Sequence, residues 1–286
     1  MFSRKITAWA FRVSRDSRIR KLLVSRFFRR IFGTIGPKNI IFESEGCKYY
    51  CNLLEFTGVT HYLLKNGFYE KAVTKFIQEF TDPEGDVLDI GANIGYYSII
   101  CAKRTMGKVY AFEPEPNTFR RLQANIKLNK MDNIVPINCA TSDYKGEIEF
   151  FVNSRNMGDH RCTKMTENLA EVIKVKADRI ENILSLEEFH NVRLIKIDVQ
   201  GYEYKTFKGM EEYLKKANNL KIISEFEPDM LITAGCRPID YLKFITSLGF
   251  KMSVIDEEEI MIRPSTIKQI MQWSQRNKVL NVLFEK

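Results

Sequence analysis

Residues 86–96 read Asp86-Val87-Leu88-Asp89-Ile90-Gly91-Ala92-Asn93-Ile94-Gly95-Tyr96, and this stretch decides the fold. Its first five residues form a short aliphatic run, the pattern of a strand. Gly91 permits the tight turn that follows. Asn93 is among the few non-glycine residues that tolerate a left-handed backbone, and Gly95 lets a helix leave close to the strand. The first turn of that helix then offers unpaired N–H groups to a ligand. The spacing is not Gly-x-Gly-x-x-Gly, and no Gly-Lys-Ser/Thr follows. The dinucleotide fingerprint and the phosphate loop are therefore both missing. Asp89 at the strand end suits a ligand with a cationic amino group and opposes a pyrophosphate.

Working outward, strands are predicted at 108–112, 133–137, 192–198 and 219–226, with helices at 95–104, 115–129, 202–216 and 238–248. Strand-like runs also lie at 147–152 and 172–176, and late ones at 250–255, 259–262 and 278–284. Before the decisive stretch, 39–52 reads as two short strands around Glu45-Gly46. Residues 59–80 carry helical periodicity interrupted at Asn66-Gly67. Alternation of strand and helix predicts an α/β fold: a mostly parallel sheet covered on both faces, with an antiparallel edge. Ligands of such sheets bind beyond the carboxyl ends of the strands, where the strand order reverses. Glu113 closes the second strand 22 residues after Gly91. An acid at about that distance from the glycine turn can accept both hydroxyls of a ribose.

The chain has 286 residues, 44% hydrophobic and 28% charged, which is ordinary globular composition. The net charge of +8 is unevenly placed. Residues 1–38 hold 11 basic side chains and the single acid Asp16, so residues 39–286 carry a net of −2. A nearly neutral body gives no case for nucleic-acid binding. In the arm 1–38, Phe2, Ile6, Trp9 and Val13 recur at helical spacing, as do Ile19, Leu22, Leu23, Phe27 and Ile31 among arginines. This basic amphipathic pattern fits an anionic membrane surface, packing on the body or on a second copy, or a transit peptide. The expected location is cytoplasmic, with peripheral membrane contact through the arm as the variant. The expected organisation is this helical arm followed by one α/β domain over 39–286, with a cap segment at 39–84 and a cofactor-binding core at 85–262. Six cysteines without a zinc-type spacing read as reduced thiols, and no metal site is expected.

Four motifs in order, VLDIGANIGYYS at 87–98, FEPEP at 112–116, NCATSD at 138–143 and IDVQGYE at 197–203, resemble the FkbM-type family of class I S-adenosylmethionine-dependent methyltransferases. The resemblance spans roughly residues 68–255 and implies a Rossmann-like fold and S-adenosylmethionine as cofactor. It implies that Asp89, Gly91, Asn93 and Gly95 hold the methionine part and Glu113 the ribose. Asn138, Cys139 and Ala140 would border the adenine, and Asp198 would face the sulfonium and the acceptor. The segment Gly67-Phe68-Tyr69-Glu70 looks like the family's lead-in to the first strand, which adds Glu70 to the cofactor set. Gln200 departs from the family, which often carries glutamate there. The resemblance implies O-methylation of sugars or secondary metabolites, so the expected partner is a small-molecule or carbohydrate acceptor.

The residues themselves support part of this. An acid closing an apolar strand, as Asp198 does after Leu194, Ile195 and Ile197, is a poor core residue and a natural site residue, or else a helix cap. Deprotonating an alcohol acceptor needs a base, for which Asp198, Glu203, His160 and Glu225 are the candidates. Glu203, five residues past Asp198, can share its site or complement a helix dipole. His160 lies in the polar stretch Asn156-Met157-Gly158-Asp159-His160-Arg161. No Pro-Pro-aromatic motif follows the fourth strand, which argues against amino-methylation of a nucleic-acid base. A nicotinamide-dependent oxidoreductase and a non-catalytic S-adenosylmethionine-binding module are the alternatives. A homo-oligomer remains compatible with the arm.

Overall fold

The computed structural model describes residues 39–53, 58–153, 162 and 170–286. The arm 1–38 and His160 lie outside the described residues.

The chain opens with a hairpin of β1 (Asn39–Ser44) and β2 (Cys47–Asn52). Helices Gly58–Asn66 and Lys71–Phe80 follow. The periodicity over 59–80 is thus two helices, broken where Gly67 and Glu70 take positive φ. Then come β3 (Asp86–Ile90), the helix Tyr96–Ala102, β4 (Val109–Phe112), the helix Pro116–Asn129 and β5 (Ile134–Ile137). The short β6 (Ala140–Thr141) leads to β7 (Gly146–Asn153) and β8 (Ala170–Asp178). The second half holds β9 (Val192–Ile197), β10 (Lys221–Phe226), β11 (Lys251–Asp256), β12 (Met261–Pro264) and β13 (Leu280–Glu285).

Eight strands form one sheet in the order β12-β11-β13-β10-β9-β3-β4-β5. β5, β4, β3, β9 and β10 run parallel, as the strand–helix alternation predicts. The antiparallel pairing at the edge is that of β12 with β11. A second antiparallel strand sits further in: β13 is inserted between β10 and β11. Its sequence, Leu280-Asn281-Val282-Leu283-Phe284, explains the position, since Val282, Leu283 and Phe284 are fully buried and need cover on both faces. The strand order reverses between β3 and β9, so the crevice of the sheet opens above their carboxyl ends. β6, β8 and β7 form a separate three-stranded sheet that rises beside this crevice.

β3 is buried at all five positions, with a core on each face of the sheet. One core gathers Val87, Ile99, Val109 and Leu122, and the other Leu88, Ile195, Phe207 and Phe284. Each fully buried aliphatic or phenyl group contributes about 1.5–3 kcal/mol of transfer free energy, so the strand tips are set in rigid material. The predicted helix 202–216 is two, Glu203–Lys208 and Glu211–Lys216. The break falls at Gly209, where a Cβ would come within 1.9 Å of the Ser142 carbonyl oxygen beyond β6. Two helices not read from the sequence are Pro228–Thr233 and Ile267–Ser274. The latter begins with a Thr266–Gln269 capping box.

Among the described residues the outer edge of β2 has no strand neighbour. Carboxamides of the helix Pro116–Asn129 take that place: Asn129 accepts from Lys48 N (2.8 Å) and donates to Lys48 O (2.6 Å), while Asn125 accepts from Tyr50 N (2.8 Å). Among the described residues no helix is long and apolar enough to cross a membrane.

Candidate active site

The cleft lies where β3, β4 and β9 end. Its walls include Asp89, Gly91, Asn93, Glu113, Ala140 and Asp198, six of the residues expected there from the sequence. Gly91 (φ 82°) is at the closest approach of β3 and β9. A Cβ on it would stand 1.9 Å from the Asp198 carbonyl oxygen, so only glycine lets the two tips meet. Asp198 N donates to Ile90 O at 3.0 Å and ties the same two tips.

Glu113 is 5% exposed at the end of β4. Its two oxygens accept backbone N–H groups from Asn93 (3.0 Å) and Glu115 (2.9 Å). Burial outweighs those bonds and pushes its carboxyl up to about 8. Each carboxylate oxygen keeps a second lone pair, so the group retains capacity for a ligand's diol. Asp89 accepts from Ser98 Oγ (2.5 Å) and is pushed by burial up to about 6. Cys139, Ala140, Thr141 and Phe150 form the wall on the side of the small sheet, and Asn138 fastens that wall by donating to Glu113 O (2.8 Å) and Pro114 O (3.0 Å).

Gly95, Glu70, Glu203, Asn138 and the candidate base Glu225 are not among the residues that line the cleft. Gly95 belongs to packing: Leu122 Cδ1 occupies the space a Cβ would need, at 2.6 Å. Glu70 reaches the cleft through Tyr97, whose hydroxyl donates to it at 2.5 Å. Glu203, 1% exposed, accepts N–H bonds from Val199 and Gly201, both at 3.2 Å. It clasps the turn that follows Asp198, and burial pushes it up to about 7.

Two features escaped the sequence reading. Lys196 interrupts the apolar run of β9 and is 2% exposed. Its ammonium lies 4.0 Å from Asp198 Oδ2 and 5.7 Å from the centre of the Tyr97 ring. Burial would lower it, but Asp198, Glu70, Glu225 and Asp89 together raise it. A lysine in the middle of a buried strand was the readable signal. The second feature is Gln200, noted only as a departure. Its Nε2 donates to Asp198 Oδ1 and to Glu225 Oε2, each at 2.9 Å.

S-adenosylmethionine fits this set of residues. A cradle that a Cβ at Gly91 would fill, an acid with free lone pairs one strand away, and an acidic tip on β9 match its aminoacyl, ribose and sulfonium parts. The fold and the site together define a class I S-adenosylmethionine-dependent methyltransferase. Residues 89–252 match the family model described as the methyltransferase FkbM domain, and the chain belongs to that family.

Relatives of known name are similar over part of the chain. The hexuronic acid methyltransferase AglP of Haloferax volcanii is 29% identical over 193 residues, 66% of this chain and 74% of its own length. A tRNA(Phe) (4-demethylwyosine(37)-C(7)) aminocarboxypropyltransferase of Methanocaldococcus jannaschii is 37% identical over 168 residues, 58% of this chain and 49% of that protein. The chain therefore spans about half of that second relative. A crystal structure of M. jannaschii TYW2 in complex with AdoMet aligns with a TM-score of 0.45 at 18% identity, covering 88% of each chain.

Proposed function

We propose that this methyltransferase acts on oxygen, methylating a hydroxyl of a carbohydrate or similar small polyol. The observation that carries this reading is the tip of β9, where the Asp198 carboxylate lines the cleft with its side chain 22% exposed. S-adenosylmethionine supplies an electrophilic methyl group on a sulfonium. Asp198 orients the acceptor hydroxyl and takes its proton, a contribution of typically 10²–10⁴-fold. Holding the two reactants in line supplies up to roughly 7–11 kcal/mol in well-oriented systems, and the rigid strand tips serve that end.

Tyr69, Tyr97 and Tyr202 line the same cleft. Aromatic faces beside hydrogen-bonding carboxylates suit the C–H and O–H surfaces of a sugar. Among the described residues the one cation on the cleft wall is Lys196, and it is buried among acids, a setting that suits a polyphosphate or RNA backbone poorly. The similarity to a hexuronic acid methyltransferase supports a sugar acceptor. His160 is retained as a second proposed contact for the acceptor.

The test incubates the full chain with S-adenosylmethionine and, separately, neutral sugars, hexuronic acids, nucleotide sugars and tRNA. Mass spectrometry is expected to show a methyl group on a sugar oxygen. Transfer to tRNA alone, or to nitrogen, overturns the proposal.

A further inference from the structure

We propose that a second cavity, at the same end of the sheet as the cleft, is a subsite for a neutral sugar ring linked to the one that is methylated. The acceptor is then a glycoside of at least two rings. The inference rests on the carbohydrate reading just given. The cavity, about 640 Å³, lies where β11 ends and β13 begins. Ligand sites commonly measure roughly 300–1,000 Å³. β10 and β11 both pair antiparallel with β13, so they share a direction and end on the same side as β9. Asn281 on the cavity wall stands opposite Glu225 in register. Glu225 in turn accepts from Gln200 on the cleft wall at 2.9 Å. Two strand spacings separate β9 from β13, roughly 10 Å, a span that linked sugar rings cover. A second connection runs through Glu257 on the cavity wall, whose carboxylate accepts from Ala72 N (3.0 Å) and Val73 N (3.1 Å) at the start of the helix Lys71–Phe80. Glu70 precedes that helix and accepts from Tyr97 of the cleft.

The chemistry of the wall selects the occupant. Asn281 is 7% exposed, and its Oδ1 is buried without a hydrogen-bond partner among the described residues. A buried amide oxygen favours a donor, and a sugar hydroxyl supplies one. The torsion that turns a carboxamide is soft, so either end of it can be brought to a ligand. Arg263 is steadied by the bond from its Nε to Asp256 Oδ2 (3.0 Å), and its terminal nitrogens carry further N–H donors. Trp273, on the helix Ile267–Ser274, packs partly against the core and contributes aromatic surface to the cavity. Amphipathic aromatic surface beside a few convergent polar groups suits a ring with C–H and O–H faces. Asp256, Glu257 and Glu258 stand around the one guanidinium of Arg263 on this wall. That excess of negative charge opposes a phosphate or a carboxylate and favours an uncharged ring.

The experiment uses the full chain and reads binding and turnover separately. The probes are methyl glycosides of glucose, galactose, mannose and glucuronic acid, disaccharides of the same sugars, and uridine monophosphate. Nitrogen-15 NMR follows the indole N–H signal of Trp273, assigned by its loss in Trp273→Phe. A disaccharide is expected to shift that signal saturably. Asn281→Leu removes the amide at similar volume, and Arg263→Met removes an exposed guanidinium; each weakens this binding about 3- to 10-fold, the loss of one neutral hydrogen bond. In methyl transfer, kcat/KM is about tenfold or more higher for the preferred disaccharide than for its single sugar, because remote binding energy is spent on orienting the reacting hydroxyl. That ratio falls toward one in both variants. A Trp273 signal unmoved by every sugar, or moved by uridine monophosphate alone, overturns the subsite. So does an equal kcat/KM for one ring and two, and methylation of single sugars then leaves the carbohydrate reading standing. A saturable shift with disaccharides, combined with no methylation of any hydroxyl, overturns the O-methylation reading and leaves the sugar site standing.

Discussion

Replacing Glu113 by glutamine tests the cofactor site at its most loaded point. The carboxylate is buried, receives two backbone N–H bonds and lines the cleft one strand from Gly91. A hydrogen bond to a charged group contributes about 1.5–3 kcal/mol. Losing the grip on the ribose diol therefore weakens S-adenosylmethionine binding roughly 10- to 150-fold. A pH signature accompanies the loss. With its carboxyl near 8, Glu113 is mostly protonated at pH 7 before the cofactor arrives. Two hydroxyl donors favour the charged form, so binding expels a proton. Wild-type affinity should rise from about pH 6 toward pH 8 and then level off, and the variant should lack that component. Calorimetry in two buffers of different ionisation enthalpy reads both the Kd and the released proton. An affinity within twofold of wild type at about pH 8.5, with the fold intact, refutes the assignment.

Other consequences follow from the same contacts. Asp198→Asn keeps an acceptor for Gln200 and loses the base, so kcat should fall at least about 100-fold with the cofactor Kd changed only a few-fold; normal turnover in a steady-state assay ends that role. Glu203→Ala leaves the Val199 and Gly201 N–H groups without their acceptor, and at about 1–3 kcal/mol for each buried unsatisfied donor the thermal midpoint should drop by several degrees. Asp89, Glu113 and Glu203 all have folded values, about 6, 8 and 7, above their ordinary 3.8 or 4.5. The folded chain therefore binds more protons than the unfolded chain between about pH 4 and 8, and stability falls as pH rises through that window. Differential scanning calorimetry of the cofactor-free protein should give a lower midpoint at about pH 8.5 than at about pH 5.5; a higher one contradicts the burial of these groups.

The legible parts of the site were those written in local chemistry. Asp89, Gly91 and Asn93 sit in one turn, and Glu113 follows at a spacing that strand–helix–strand geometry imposes. Asp198 stood out because an acid ended an apolar strand. The illegible parts depend on neighbours distant in the chain. Glu203 had two plausible uses, and only the fold of the turn over 199–203 shows its carboxylate committed to backbone N–H groups. The bridge from Gln200 to Glu225 joins residues 25 apart through the pairing of β9 with β10. The insertion of β13 could not be read because a buried apolar strand has the same composition at any interior position. The break at Gly209 is set by a carbonyl 67 residues away in sequence, at Ser142.

The carboxamides beside β2 have a consequence for how the protein ages. Deamidation of Asn129 would exchange for an oxygen the amide that donates to Lys48 O, and so remove part of the cover over a short length of strand edge. Such an edge can recruit another chain, so slow chemical damage far from the cleft would show first as self-association in stored protein, before any loss of methyl transfer.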